Sequence, residues 1–220
     1  MNWTKATAEL TRLERLLGKP GALPGRAAHR RMAPEGRVLT PPETHDGTDS
    51  HPPTKAAVLI LLYPFGSNSA LHLPLIRRPD EDPLHPGQIA LPGGRHKEGE
   101  SFPVETALRE SQEELSIEPE SVRVIGELSP LYVGVSSAMV TPVIGRTDRR
   151  PSMRADPREV VAFFSISVSS LLSQVPRFGY FESQGGDIRA PYYLSEAGRI
   201  WGATAMILAE LLELFHQAPK

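Results

Sequence analysis

The chain lacks several features that would assign it to particular classes of protein. None of its 220 residues is a cysteine, which excludes disulfide bonds, thiolate metal sites and a cysteine nucleophile and agrees with a reducing compartment. No apolar run approaches the ~18 residues that indicate a membrane-spanning helix. Residues 1–18 are amphipathic, without the apolar core of a secretory signal. We therefore expect a cytoplasmic protein with no membrane partner.

An excess of charge of one sign is also missing. The formal net charge is −2, from 24 lysines and arginines against 26 acids. Such a balance gives no long-range field that would attract nucleic acid. Hydrophobic residues make up 40% of the chain, enough for a core, and the length suits one domain with an appended arm.

The order of the apolar segments predicts an α+β fold. Residues 56–63 form a near-continuous apolar run, typical of a buried central strand. Other segments predict further strands, at 71–78, 88–91, 122–128, 139–145, 160–165, 178–182 and 189–194. Helical periodicity predicts four helices, at 3–17, 103–116, 168–174 and 199–216. Strands mixed with a few helices, without regular βαβ alternation, favour α+β layering.

The segment after the first helix predicts an arm. It is rich in proline, glycine, histidine and charge, which is typical of irregular structure. We divide the chain into a helix and irregular arm at 1–54 and a main domain at 55–220. The arm is either mobile or brings an arginine, Arg30, Arg31 or Arg37, to a phosphate.

Three carboxylates are crowded into little more than one helical turn, at Glu110, Glu113 and Glu114. Like charges at this spacing each cost a few tenths of a kcal/mol in an isolated helix, and a hard divalent cation removes the repulsion. The alternative is an ordinary solvated acidic face. A helical wheel at about 100° per residue led us to expect all three acids opposite the core-packing residues Val104, Ala107, Leu108, Ser111 and Leu115.

Two neighbouring features favour the metal site. Gly93-Gly94 lies sixteen residues before Glu110, where bare backbone could approach a ligand closely. Glu100 lies between the glycines and the helix, where it could point inward, cap the helix or favour its N-terminus through the dipole. Arg109 is placed to orient one of the acids.

These residues resemble the Nudix box, which reads Gly, five residues, Glu, seven residues, Arg-Glu, two residues, Glu-Glu, one residue, Gly. The matching positions here are Gly94, Glu100, Arg109, Glu110, Glu113 and Glu114. Eight residues rather than seven separate Glu100 from Arg109, and Ser116 replaces the last glycine. The extra residue is a feature of the coenzyme A diphosphatase branch.

A segment just before the box also resembles that branch. The branch pattern is Leu-Leu-Thr-x-Arg-Ser, then Arg, then Gly-Gln-x-x-Phe-Pro-Gly-Gly. This chain keeps the order of that pattern in residues 75–79, 85–88 and 91–94. It has Pro79 where the pattern has serine, Pro83 where the pattern has its second arginine, and Leu91 where the pattern has phenylalanine. The whole resemblance spans roughly residues 55 to 215.

The resemblance implies an α/β/α sandwich with a mixed sheet, which hydrolyses a diphosphate linked to a nucleoside. For coenzyme A the products would be 3′,5′-ADP and 4′-phosphopantetheine. It implies Mg²⁺ or Mn²⁺ held by Glu110, Glu113 and Glu114, where the ion would lower the pKa of a bound water. Attack on phosphorus would then be in line.

The resemblance also implies roles for individual residues. The expected catalytic residues are Arg109, Glu113 and Glu159. The expected substrate-binding residues are Arg77, Arg78, His85, Gly87, Gln88, Gly93 and Gly94. Because Arg77 and Arg78 alternate along a strand, at most one should face the site. Each of three residues also has a purely structural alternative. Glu159 could be an exposed residue at the end of a strand, His85 an ordinary loop residue and Trp201 a core residue.

Two other functions remain open at this stage. Pro79 and Pro83 depart from the branch pattern, which favours another nucleoside diphosphate derivative, such as ADP-ribose or a damaged nucleotide. A non-catalytic ligand sensor with the same fold is the third hypothesis, although it would have no need of three crowded acids. In each case the partner is a small molecule, and a homodimer is the assembly that the resemblance suggests.

Overall fold

The computed structural model describes residues 4–41, 52–67, 69–183 and 186–217. The helices are α1 Thr4–Leu17, α2 Gly25–Arg31, α3 Val104–Leu115, α4 Val168–Leu172 and α5 Gly202–Gln217. The strands are β1 Thr54–Phe65, β2 Ala70–Arg77, β3 Ile89–Ala90, β4 Gly93–Arg95, β5 Arg123–Glu127, β6 Leu131–Val133, β7 Ala138–Arg146, β8 Ala162–Ser167, β9 Arg177–Phe181, β10 Ile188–Ser195 and β11 Gly198–Ile200. The predicted helix start at Trp3 and residues 42–51 of the predicted arm lie outside the described residues.

The strands form one large mixed sheet and one small antiparallel sheet. β1 lies at the centre, parallel to β7 and antiparallel to β2 and β4. β5 and β6 continue the sheet beyond β7, and β3 and β8 continue it beyond β2. β9, β10 and β11 form the second sheet. The predicted late hairpin is therefore confirmed.

Helices cover both faces of the central strand. Leu59 and Leu61 are fully buried in the cluster that includes α3, whereas Ile60 and Leu62 are fully buried against α1 and α5. This alternation follows from the two-residue period of a strand, and each buried leucine contributes roughly 1.5–3 kcal/mol. The α/β/α sandwich with a mixed sheet is confirmed.

Part of the predicted irregular arm is helical. The carboxylate of Glu210, fully buried on α5, accepts hydrogen bonds from the backbone N–H of Gly25 (2.9 Å) and the hydroxyl of Ser129 (2.7 Å), and it pairs with Nε2 of His29 at 2.8 Å. The prediction of irregular structure is wrong for residues 25–31, because tertiary contacts rather than local propensity stabilise this short helix.

Three smaller differences arise from short elements. β4 and β6 are only three residues long, too short to give a periodic signal. The closing helix begins at Gly202 rather than Arg199, because residues 198–200 pair with β10.

Among the described residues, no helix has the length and hydropathy needed to cross a membrane.

Candidate active site

A cavity of about 940 Å³ opens beside β4, on the face of the sheet where α5 begins. Three carboxylates line one part of it, at Glu110, Glu114 and Glu159, and we call them the acidic group. The rest of its wall is largely apolar and includes Tyr132, Val133, Val140, Trp201 and Ile207. The arm contributes residues 34–38 to the rim. The box and the arm therefore meet at one cavity.

Glu114 is buried, which corrects the expectation from the helical wheel. Its exposed fraction is 3%, because it lies seven positions after Ala107 and so only about 20° from it around the helix. Its Oε2 accepts a hydrogen bond from the N–H of Gly93 at 2.9 Å. Burial raises its pKa to about 8, a shift that nearby Arg78 opposes. This acid is thus held at the cavity with little to stabilise its charge.

The two glycines make room for protein atoms. A Cβ on Gly94 would lie 2.5 Å from the carboxyl carbon of Glu110, and one on Gly93 would lie 2.3 Å from the carbonyl oxygen of Ala57. Any larger residue would therefore displace the glutamate or the central strand. The expected contact of these glycines with phosphate stays a prediction, whereas their observed role is to let Glu110 reach the cavity past β4.

Arg109 holds the acids of α3 in place. Its Nη1 lies 2.8 Å from Glu110 and 2.7 Å from Glu113, and its Nε donates to Glu100. Thr106 also donates to Glu100, at 2.6 Å. The hydrogen bond from Arg109 is the main reason that the pKa of Glu100 is lowered to about 2. Glu100, which the sequence left between several roles, therefore positions Arg109, and Arg109 positions the acids.

Glu113 is close to Glu110, since both pair with the same nitrogen of Arg109, but it does not line the cavity. Its side chain is 41% exposed and accepts from Nζ of Lys97 at 3.1 Å as well as from Arg109. In the part of the chain that the structure describes, no three Asp, Glu or His side chains converge into a ready-made ion site. The metal-binding role of Glu113 therefore stays a prediction, as do those of Glu110 and Glu114.

Only Arg78 of the adjacent arginine pair faces the cavity, as the alternation predicts. Its guanidinium lies 3.1 Å from Asp82 and 3.4 Å from the carbonyl oxygen of Gly93. The side chain of Arg77 is 46% exposed, pairs with Asp80 at 3.3 Å and is not among the lining residues. Arg78 is therefore the arginine placed beside Glu114.

The rest of the predicted substrate segment forms a turn at the cavity rim. His85 and Gln88 line the cavity, and burial is the main reason that the pKa of His85 is lowered. Gly87 does not line it. With φ at 61°, Gly87 instead closes the turn through a hydrogen bond to the carbonyl of Pro79 at 3.0 Å. Its role is conformational, because a Cβ there would also meet Asp80 at 2.7 Å.

Glu159 is exposed in the turn before β8 and reaches the cavity edge. Its charge contributes to the raised pKa of Glu114, which places the two carboxylates near each other. Two other lining residues had only weak signals in the sequence. Trp201 stacks on Phe181, with ring centroids 4.4 Å apart, so one face is packed as expected of a core residue while the side chain also lines the cavity. The sequence named Arg37 only as one of three arginines of the arm that could reach a phosphate.

Comparisons with known proteins agree with this geometry. Residues 53–179, more than half of the chain, match the NUDIX domain. The chain belongs to the Nudix hydrolase family. A relative named "Uncharacterized Nudix hydrolase NudL" from Yersinia enterocolitica is 36% identical over 160 residues, which cover 72% of this chain and 80% of the relative. The protein of the same name from Pectobacterium atrosepticum is 34% identical over 163 residues, 73% of this chain and 82% of that one.

Solved structures show the same fold. The Nudix hydrolase RenU of M. smegmatis superposes with a TM-score of 0.54 and 18% identity, covering 76% of this chain and 88% of its own. The MutT protein of Methanosarcina mazei gives a TM-score of 0.51 and 14% identity, covering 79% and 100%. These structures show the fold, whereas the family match and the curated relatives show that the protein is an enzyme, a Nudix hydrolase that acts on small-molecule nucleoside diphosphate derivatives.

Nudix hydrolases generally need divalent metal ions, and the donors at this cavity fit such an ion. Glu110, Glu114 and Glu159 supply carboxylate oxygens, the ligands that Mg²⁺ and Mn²⁺ prefer. Burial raises the pKa of both Glu110 and Glu114, and their mutual repulsion adds to the shift of Glu114. A bound cation would offset both the burial of the two carboxylates and the repulsion between them.

Proposed function

We propose that this enzyme hydrolyses the diphosphate bond of coenzyme A or its acyl derivatives, giving 3′,5′-ADP and 4′-phosphopantetheine or its acyl form. One observation carries the proposal. Arg78, His85 and Gln88, which belong to the segment that resembles the coenzyme A branch, line the same cavity as Glu110 and Glu114.

The shape of the cavity also supports this substrate. A volume of about 940 Å³ lies near the upper end of the usual range for small-molecule sites, about 300–1,000 Å³. Its largely apolar wall suits a long substrate arm that carries few charges. A substrate with a diphosphate at the acidic group could extend such an arm along Tyr132, Val133 and Ile207.

The residues of the chain would divide the chemistry between them. Glu110 and Glu114 would hold Mg²⁺ or Mn²⁺, with Glu159 at the edge of the same cavity. When bound, the ion would neutralise phosphate charge and activate water. Arg78 would bind a diphosphate oxygen, since it is the arginine beside Glu114. Arg109 would keep Glu110 in its binding orientation.

Glu159 is our candidate for accepting the proton of the attacking water. It is exposed at the cavity edge, whereas Glu114 is buried against Gly93. General bases typically contribute 10²–10⁴-fold to a rate, so Glu159→Gln should lower kcat by at least about 100-fold. Equal activity of the variant at every pH would exclude this role.

A substrate panel tests the proposal. The enzyme would be assayed with Mg²⁺ and with Mn²⁺ on coenzyme A, an acyl-coenzyme A, ADP-ribose and an oxidised nucleoside triphosphate, and the products resolved by mass. We expect the highest kcat/KM for coenzyme A or its acyl form. Pro79 and Pro83 favour the second candidate, another nucleoside diphosphate derivative, and preferential turnover of ADP-ribose would establish it instead.

A further inference from the structure

We propose that Arg37 binds a phosphate group on the ribose of the substrate, away from the bond that is cut. This inference rests on the proposed function, in which that group is the 3′-phosphate of coenzyme A. It assigns a specificity role to the arm before the Nudix domain, outside the residues that match the family.

The arm is fixed at the cavity rim by several contacts. The backbone N–H of Glu35 donates to the carbonyl of Arg189 on β10 at 2.9 Å, and the two side chains form an ion pair. The N–H of Arg37 closes a turn on the carbonyl of Pro34 at 3.1 Å, with Gly36 at φ 72°. Arg37 is thus presented to the cavity by ordered backbone.

The guanidinium of Arg37 has more donors than acceptors. Nη2 donates to the carbonyl oxygen of Tyr132 at 3.2 Å, whereas the buried Nε has no hydrogen-bond partner. Among the described residues no carboxylate pairs with it. The guanidinium is thus half-buried without a counter-charge, and burial lowers the pKa of Arg37. An anionic ligand in the cavity would supply the missing counter-charge.

The other arginines of the arm do not share this position. Arg31 pairs with Glu213 at 2.7 Å on the outside of the protein, and Arg30 is exposed. Neither lines the cavity. Of the three arginines that the sequence left open for a phosphate, Arg37 alone has the location and the unmet hydrogen-bonding capacity.

The sheet places Arg37 and Arg78 at different parts of the cavity. Tyr132, which Arg37 contacts, is on β6, and Gly93, which Arg78 contacts, is on β4. Three inter-strand spacings separate β4 from β6, because β1 and β7 lie between them. Gly93 is level with Val58 of β1 and Tyr132 is level with Lys55, so the two positions are also three residues apart along the strand direction. At about 4.8 Å per strand and 3.3 Å per residue, the two backbone positions are on the order of 15 Å apart.

A separation of this order has a chemical consequence. A diphosphate is shorter than this span, so one bound beside Arg78 and the acidic group would leave the donors of Arg37 to another group, even though, besides burial, both guanidiniums lower the pKa of His85. The ligand of Arg37 is therefore a second anionic group on the same substrate. A phosphate monoester fits best, because its oxygens accept paired hydrogen bonds from a guanidinium fork.

Binding of two nucleotides tests the inference directly. Calorimetry with the full-length protein and Mg²⁺ would compare 3′,5′-ADP with 5′-AMP, which differ only in the 3′-phosphate. We expect Arg37→Gln to weaken binding of 3′,5′-ADP by roughly 10- to 100-fold, as for loss of a charged hydrogen bond, and binding of AMP by less than about 3-fold. Arg37→Lys should retain part of the preference. Arg30→Gln is the matched control and should bind both nucleotides as the wild type does.

Three results would overturn the role of Arg37. The wild type could show no preference for 3′,5′-ADP, the variant could keep the wild-type preference, or it could lose affinity for both nucleotides equally. Thermal unfolding of each variant would show whether Arg37→Gln has a folding defect. If it has one, the binding preference of Arg37→Lys would decide the outcome.

Turnover separates this inference from the proposed function. The wild type and Arg37→Gln would be compared on coenzyme A and 3′-dephospho-coenzyme A, with a rise in KM expected for coenzyme A alone. If the wild type hydrolyses neither compound but still prefers 3′,5′-ADP through Arg37, the proposed substrate is wrong and the phosphate subsite stands. If it hydrolyses coenzyme A and Arg37→Gln leaves KM unchanged for both, the subsite alone is wrong.

Discussion

Glu210 and Glu114 are both buried glutamates on helices that cover the central sheet, yet their surroundings differ. Glu210 is fully buried and receives donors from two backbone N–H groups, one hydroxyl and the ring of His29. Glu114 is 3% exposed and receives the N–H of Gly93 while facing other acids. One carboxylate joins helix α2 to the core, and the other is left short of positive charge at a cavity.

The difference shows what separates a structural acid from a functional one. Burying a carboxylate is expensive unless donors satisfy it. At Glu210 the protein supplies those donors itself. At Glu114 it does not, and a perturbed acid in a cleft is a candidate for function.

The largest effect on activity should come from Glu114→Gln. Loss of residues that only support a metal ligand typically costs 10–100-fold in activity or metal affinity, so loss of a ligand itself should lower kcat/KM by at least about 100-fold. Because a neutral amide replaces a carboxyl that burial makes costly to ionise, the unfolding temperature in chelator should stay the same or rise. Steady-state kinetics and thermal unfolding would check both, and normal turnover would contradict the assignment.

Glu210→Gln should show the opposite pattern. Breaking a buried ion pair or its hydrogen-bond network typically costs about 3–5 kcal/mol, so the free energy of unfolding should fall by about 3 kcal/mol. The activity per folded molecule should remain close to that of the wild type. Urea unfolding followed by kinetics below the transition would test this, and a fully stable variant would show that α2 is held by other contacts.

A matched pair on α3 compares an acid that lines the cavity with one that faces solvent. Glu110→Gln should lower kcat/KM by at least about 100-fold as a ligand loss, whereas Glu113→Gln should lower it by less than about 10-fold. The reason is that Glu110 lines the cavity and Glu113 faces Lys97. Titration of Mn²⁺ followed by its paramagnetic resonance would report the affinity of each variant. Equal losses in the two variants would restore Glu113 as a ligand.

The last prediction is a pH dependence of the stability of the metal-free enzyme. The pKa of Glu114 is about 8 in the folded protein against an ordinary value of 4.5. Folding therefore favours the protonated form, so the stability that this group contributes is fully present below about pH 4.5 and is lost as pH rises towards about 8. The unfolding temperature in chelator should fall over that window. Glu114→Gln should lack this decline, and an identical slope in the variant would assign it to other groups.

The sequence predicted the parts of the fold that have strong local signals. The apolar run of β1, the helix α3 and the late hairpin were all found close to their expected positions. The helix α2 was missed because residues 25–31 contain little apolar surface and depend on Glu210, which lies far along the chain. Short strands such as β6 were missed because pairing with β7, rather than periodicity, defines them.

The candidate site was predicted in part. The spacing of the box singled out Glu110 and Glu114, which line one cavity, and Arg109, which pairs with Glu110. The buried position of Glu114 was misjudged because a glutamate was assumed to face solvent, although its angular position places it beside Ala107. Arg37 could be named only as one of three arginines, since a contact between the arm and β6 leaves no trace in local sequence.

Part of the cavity wall comes from segments outside the stretch that matches the family. Arg37 precedes residue 53, and Trp201 and Ile207 follow residue 179. The acidic group and Arg78 lie inside that stretch. A protein trimmed to residues 53–179 would therefore keep those carboxylates but lose Arg37 and one side of the cavity, and relatives that exchange these flanks could change substrate without altering the box.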